Sequence, residues 1–275
     1  MTLNIGKRTI QSYLWRTVNL LATMSREYVQ WPTAELRSQQ RAQQHDDIFG
    51  NCVGYLDGSE IPFGDRPLKD PEAYFSRKKV YGFNLQAICN QKGEYTYAYS
   101  GGTASTHDST AFKASTFYQQ RQELMSSDEY LAADKAYQLD KHVITPYKLP
   151  IALRPSHKAF NRAHSEQRIR IEDAFGVLEA RWPSLRSLPI RIRNDVEKDH
   201  SRVIRWIMAC LVLHNYLSFR GEESDWLEET IEDEEGSDNV PIESQSDATN
   251  SSMRETGETR RNLICERLQE ESLFV

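Results

Sequence analysis

"EQRIRIEDAFGVLEARW", residues 166 to 182, is the stretch on which the fold turns. Ile171, Phe175, Leu178 and Trp182 recur at i, i+4, i+7 and i+11, the apolar stripe of a helix lying on a core. Successive helical residues stand about 100° apart, so Glu172 falls at the edge of that stripe rather than opposite it. Arg168, Arg170 and Arg181 crowd the same segment. Taken alone, Arg168 and Glu172 make an i,i+4 ion pair, a weak surface device. What the carboxylate does beyond that depends on the rest of the chain.

Upstream, the centre of the chain is strand-like. "CVGYLDGSEIPF" (52–63) reads as a short apolar strand ending in Asp57 and a turn. "YGFNLQAICN" (81–90) and "YTYAYSGG" (95–102), separated by "QKGE", give a hairpin. "HDSTAFKASTFYQQRQEL" (107–124) predicts a helix, with Asp108 as a capping residue. "EYLAAD" (129–134) is a strand ending in Asp134, which would cap a helical "KAYQL", and "HVITPYK" (142–148) is a further strand. "TIQSYLWRTVNLLATM" (9–24) is helical with Thr9 as N-cap, read as the last helix of a small unit that starts before this chain. Residues 31–49 form a polar, Gln-rich connector, helical in part.

The longest apolar run, "VIRWIMACLVLHNYLSF" (203–219), is broken by Arg205 and by His214-Asn215, so it predicts a buried helix and not a membrane span. Cys52, Cys89, Cys210 and Cys265 are far apart and form no CxxC pair, which fits a reducing compartment and excludes a cysteine zinc site. The N-terminus has no apolar signal region.

The net charge of −6 is unevenly spread. Twelve Asp and Glu, with no Lys or Arg, lie between Glu222 and Asp247, which leaves about +6 on the remainder. A mildly basic body with an acidic appendage is compatible with a polyanionic partner. Composition predicts a disordered acidic tail over 221–258 and a short helix over 259–275.

Two strands ending in aspartate, followed by a helix bearing a glutamate, form a chemical pattern. Ligands gather at the carboxyl ends of strands in α/β sheets. Carboxylates brought together there repel one another unless a cation lies between them, and an all-oxygen Asp/Glu set suits Mg²⁺ or Mn²⁺. "YLDGSEIPF", "YFSRKKVYGFNLQAICNQKGEY", "SGGTASTHDSTAF", "LAADKAYQL", "ITPYK", "FNRAHSEQRIRIEDAFGVLEARWPSL" and "ACLVLHNYL" follow in the order and spacing of a known family. The chain resembles the PIF/Harbinger transposases, DDE superfamily endonucleases that include Harbinger-derived nucleases. The resemblance runs from about 50 to 218 and extends more faintly over the N-terminal helix.

That resemblance implies an α/β, RNase H-like core: a mixed five-stranded sheet flanked by helices. This catalytic domain would span 50–220, behind a partial helix-turn-helix-like region at 1–30. It places the catalytic, metal-holding acids at Asp57, Asp134 and Glu172, with Asp173 as the rival third position. Ala133 stands where the family has glycine, which is tolerated if the backbone there does not need positive φ.

His107 and Asp108 match a His-Asp pair placed near the metals, against a plain helix-capping role for Asp108. His214-Asn215 matches a late-helix pair expected to be structural. Arg77, Lys78, Lys79, Arg162, Arg168 and Arg170 are candidates for DNA phosphates, alongside the plainer reading of a solvated charge run.

The implied activity is cleavage of DNA at transposon ends and joining of the 3′-hydroxyl to target DNA. Implied partners are DNA and a separate Myb/SANT-like DNA-binding protein, with homo-oligomerisation left open and no membrane. The implied location is nuclear, with that partner's help, or otherwise cytoplasmic. The alternatives are a catalytically inactive transposon-derived binding module and an RNase H-like hydrolase acting on RNA or hybrids.

Overall fold

The computed structural model describes residues 6–43, 48–221 and 248–272. Five strands form one mixed sheet in the order β3-β2-β1-β4-β5. These are β1 (Cys52–Pro62), β2 (Gly82–Cys89), β3 (Tyr95–Thr103), β4 (Tyr130–Ala133) and β5 (Val143–Ile144). β1, β2 and β3 pair antiparallel, whereas β4 lies parallel to both β1 and β5. The α/β, RNase H-like arrangement expected from the sequence is therefore present.

Alternate residues of each strand point to opposite faces. Tyr55, Ala87 and Ala132 enter one core, against α6 (Pro155–Arg181) and α7 (Val196–Phe219). Their neighbours Leu56, Ile88 and Leu131 enter the other core, against α4 (Asp108–Lys113) and α5 (Thr116–Leu124). Cover on both faces explains why every residue of β2 is buried.

Several boundaries differ from the sequence reading. β1 does not stop at Asp57 but runs on to Pro62, because Gly58 to Pro62 ladder against β2. The local "DGS" turn signal is overridden by tertiary pairing. The helix expected at 107–124 is two helices, broken where Ser115 caps α5 by accepting from the Tyr118 amide. "KAYQL" is a turn and not a helix: the Asp134 carboxylate accepts from the Ala136 amide at 2.7 Å. Ala133 is fully buried in β4 and is not among the positive-φ residues, so its Cβ is tolerated.

The remaining helices clamp the sheet. α1 (Lys7–Thr23) starts after Gly6, so Thr9 lies inside it instead of capping it. It packs on α7, with Trp15 edge-on to Trp206 at 5.8 Å. After the single turn α2 (Ser25–Tyr28), the polar connector holds α3 (Ala34–Ala42), capped by Thr33. Buried Arg37 on α3 donates to the Glu129 carboxylate at 2.8–3.1 Å. The expected buried helix at 203–219 is the C-terminal part of α7. No described helix is long and apolar enough to cross a membrane.

α8 (Ala248–Ser272) starts well before the expected residue 259, so residues 248–258, assigned to the tail by composition, are helical. It docks on α6 and β5. Arg260 donates to the carbonyls of Ser127, Glu129 and Lys141, and the Tyr147 hydroxyl donates to Asn262 Oδ1 at 2.7 Å. Gly257 lets the helix pass against the backbone of Asp140. These contacts are non-local, which is why composition did not reveal them. The acidic residues 222–247 lie outside the described residues.

Candidate active site

Asp57 sits where the parallel pairing of β1 with β4 ends at Leu56 and Ala133, while its own strand continues beside β2. Period two puts its side chain on the face of Tyr55, toward α6. Asp134 is the first residue beyond β4. Glu172 comes from α6, which opens with Pro155 at its first turn and stops before Pro183. Ile171, Phe175 and Leu178 of the predicted stripe are buried beneath it, joined by Ala174, while Trp182 lies just past the helix as its C-cap.

One guanidinium joins Asp57 and Glu172. Arg168 Nη2 donates to Asp57 Oδ2 at 2.7 Å and lies 3.3 Å from Glu172 Oε1. The i,i+4 pair read from the sequence is thus present, but the shorter bond goes across to the sheet. The Arg168 side chain is only 12% exposed, whereas Glu172 at 56% reaches solvent, so the guanidinium is the buried half of the pair. Its Nε is buried without an acceptor. Burial works against the charged guanidinium, and the fields of Asp57, Asp134 and Glu172 overcome it and raise the pKa.

The carboxylates respond in the opposite sense. Burial pushes Asp57 up to about 7, against the pull of Arg168, with Asp134 and Asp108 adding repulsion. Asp134 is raised by burial too, with Arg168 and the Ala136 amide opposing and Asp108 reinforcing. In both aspartates burial leads the shift, and Arg168 offsets only part of it.

On the other face, Asp108 is the first residue of α4, and its carboxylate does not cap the helix. Its Oδ1 accepts from Asn84 Nδ2 at 2.9 Å and Gln86 Nε2 at 2.8 Å, and the Tyr137 hydroxyl donates to Gln86 Oε1 at 2.6 Å. This carboxylate packs on the bare Cα of Gly58, where any side chain would collide with it. Sequence reading gave no sign of that network, since Asn84 and Gln86 stand in an otherwise apolar strand. His107 is exposed, and Arg77 Nη2 lies 2.8 Å from its Nε2.

The other candidates divide by exposure. Arg77, Lys78 and Lys79 are exposed on the β1–β2 connection, and Arg77 reaches the start of α4 through His107. Arg162 is 85% exposed and pairs with Glu166. Arg170 lies over the Tyr55 ring at 5.9 Å and is the charge acting on Asp173. His214 and Asn215 are structural: His214 lies 3.2 Å from the Gly93 carbonyl, and Asn215 bonds both backbone groups of Tyr95. All four cysteines are buried thiols.

Among the described residues, no three His, Cys, Asp or Glu side chains close up enough to hold a metal ion. The donor chemistry nevertheless fits a hard divalent cation: Asp57 and Glu172 meet at one guanidinium, and the Asp134 carboxylate acts on the same charge.

Residues 56–215 match the family described as DDE superfamily endonuclease, more than half of the chain and both aspartates and Glu172 included. A protein from Xenopus laevis named "Putative nuclease HARBI1" is 20% identical over 216 residues, covering 78% of this chain. The chain spans 60% of that relative's length. No solved structure matches.

Proposed function

We propose that this chain, which belongs to the DDE superfamily endonucleases, is a metal-dependent DNA nuclease of Harbinger transposase type. It hydrolyses phosphodiester bonds at element ends and joins the freed 3′-hydroxyl to target DNA. The observation that supports this is that Asp57 and Glu172 meet one guanidinium at the end of the β1–β4 pairing, with Asp134 the residue after β4 and acting on the same charge. DDE superfamily endonucleases use divalent metals, and Asp57, Asp134 and Glu172 would hold Mg²⁺ or Mn²⁺ here. The bound ion supplies an activated water and stabilisation of the leaving 3′-oxygen.

The chain's own residues do the positioning. β1 holds Asp57 against β2, one residue past its last pair with β4, and Asn84 and Gln86 keep Asp108 beside Gly58. Arg77, Lys78 and Lys79, exposed on the side of His107, would take DNA phosphates and set the register of the strand without reading its sequence.

The experiment compares nicking of duplex DNA, RNA and RNA–DNA hybrid by purified protein in Mg²⁺ and in Mn²⁺. DNA should be cut, and Asp57→Asn or Glu172→Gln should abolish cutting while leaving the fold intact. Asp173→Asn should retain activity, because its neighbour is Arg170 and successive helical positions diverge by about 100°. Cleavage of RNA or hybrid alone, or undiminished nicking by Asp57→Asn, would overturn the reading.

A further inference from the structure

The acids and Arg168 raise a question of occupancy. A divalent cation and a guanidinium seek the same carboxylate oxygens, and like charges at contact distance repel strongly where water is scarce. Arg168 Nη2 already holds Asp57 Oδ2 at 2.7 Å and lies 3.3 Å from Glu172 Oε1, while Asp134 also acts on the guanidinium. The side chain is mostly buried, and its Nε has no acceptor, so it is held here by the acids and not by a full set of its own hydrogen bonds.

We infer that Arg168 is the resident counter-ion of the metal-free site, and that a divalent cation enters only by displacing it. Arg168 is then a positioning residue that sets the metal requirement. It holds the acids in place without metal and weakens metal binding by competition. This inference rests on the proposed metal site, but the two can fail separately.

The test is Mn²⁺ binding to the full chain without DNA, followed by calorimetry and by the loss of the free-ion signal in electron paramagnetic resonance. Arg168→Gln should bind Mn²⁺ about tenfold or more tightly than wild type, since the competing charge is gone. Arg168→Lys keeps a competing charge and should stay near wild type. Far-ultraviolet circular dichroism and a melting curve show whether each variant is folded.

A merely structural role would weaken Mn²⁺ binding in both variants. Equal or weaker binding by folded Arg168→Gln, with binding still lost in Asp57→Asn, would overturn the counter-ion role and spare the metal site. Absence of Mn²⁺ binding in wild type and in Arg168→Gln alike would overturn both. If Arg168→Gln does not fold, Arg168→Met and Arg168→Lys carry the same comparison: Met should tighten binding relative to Lys, and equal affinities overturn the inference.

Discussion

Asp57 feels two opposing influences. Burial raises its pKa to about 7, and Arg168 at 2.7 Å pulls it down without winning. The folded pKa lies above the unfolded value of 3.8, so the native state binds the extra proton between the two. Stability from this group is present at low pH and is lost as pH rises through the folded pKa, at up to about 1.4 kcal/mol per pH unit. His164 and His214, pushed down to about 4 by burial, slope the other way, because they favour the fold at higher pH. The difference between wild type and Asp57→Asn isolates the aspartate. Denaturant melts of metal-free protein from pH 4.5 to 7.5 should show the wild type losing stability relative to Asp57→Asn as pH rises. A constant difference across that range would mean that Asp57 ionises freely in the fold. At this scale the sequence was legible in part. The identity of Asp57, Asp134 and Glu172 was readable from motif order, but the reach of Arg168 across to the sheet was not. Its i,i+4 spacing to Glu172 is visible locally, whereas its burial depends on where β1 lies in space.

Elements were legible wherever local pattern and tertiary packing agree. The β2–β3 hairpin came through because "QKGE" supplies its turn, with Gly93 at φ 74°. β1 was read short because Asp57-Gly58-Ser59 imitates a turn, and only the partner strand shows otherwise. The polar connector was the most under-read. Arg37 of α3 and Glu129 are both almost wholly buried, joined by three contacts of 2.8–3.1 Å. No residue pattern announces a pair separated by that much chain. Replacing Arg37 with Ala leaves the buried Glu129 carboxylate with only the Ser126 amide at 2.8 Å and Arg41 at 3.9 Å, a loss of about 3 kcal/mol. Urea unfolding of Arg37→Ala should show that loss, and a change below about 1 kcal/mol would mean that the pair behaves like a surface contact. The double change of Arg37 and Glu129 to apolar residues of similar volume should recover much of it.

At the scale of the whole molecule, charge is divided between a body of about +6 and the acidic residues 222–247. α7 ends at Phe219 and α8 begins at Ala248, and both are packed on the body, so those twelve acids are carried between two anchored helices. Deleting 222–247, while keeping α8, should raise non-specific DNA affinity at low salt, since acidic side chains compete with phosphate for basic ones. The gain should shrink as salt rises and screens both terms. Equal affinities at low ionic strength would show that these acids never reach the DNA-binding face. α8 itself was expected to be shorter, because its register against Asp140, Tyr147 and the carbonyls after β4 is settled by three-dimensional contacts.

The continuation of β1 past Asp57 bears on how the site can come apart. A carboxylate on a strand end or loop could be released by fraying, independently of the rest. Asp57 is instead laddered to β2, next to the last pair joining β1 and β4, in the middle of a sheet covered on both faces. Local openings avoid such positions, so its amide should exchange with deuterated solvent only through the global unfolding event, among the slowest in the chain. Glu172 and Arg168, on α6, can adjust by rotamer changes while that anchor stays fixed. Rearrangement on entry of a cation thus falls to the helix side and to Asp134 beyond β4, and the first acid is lost only when the whole sheet is lost.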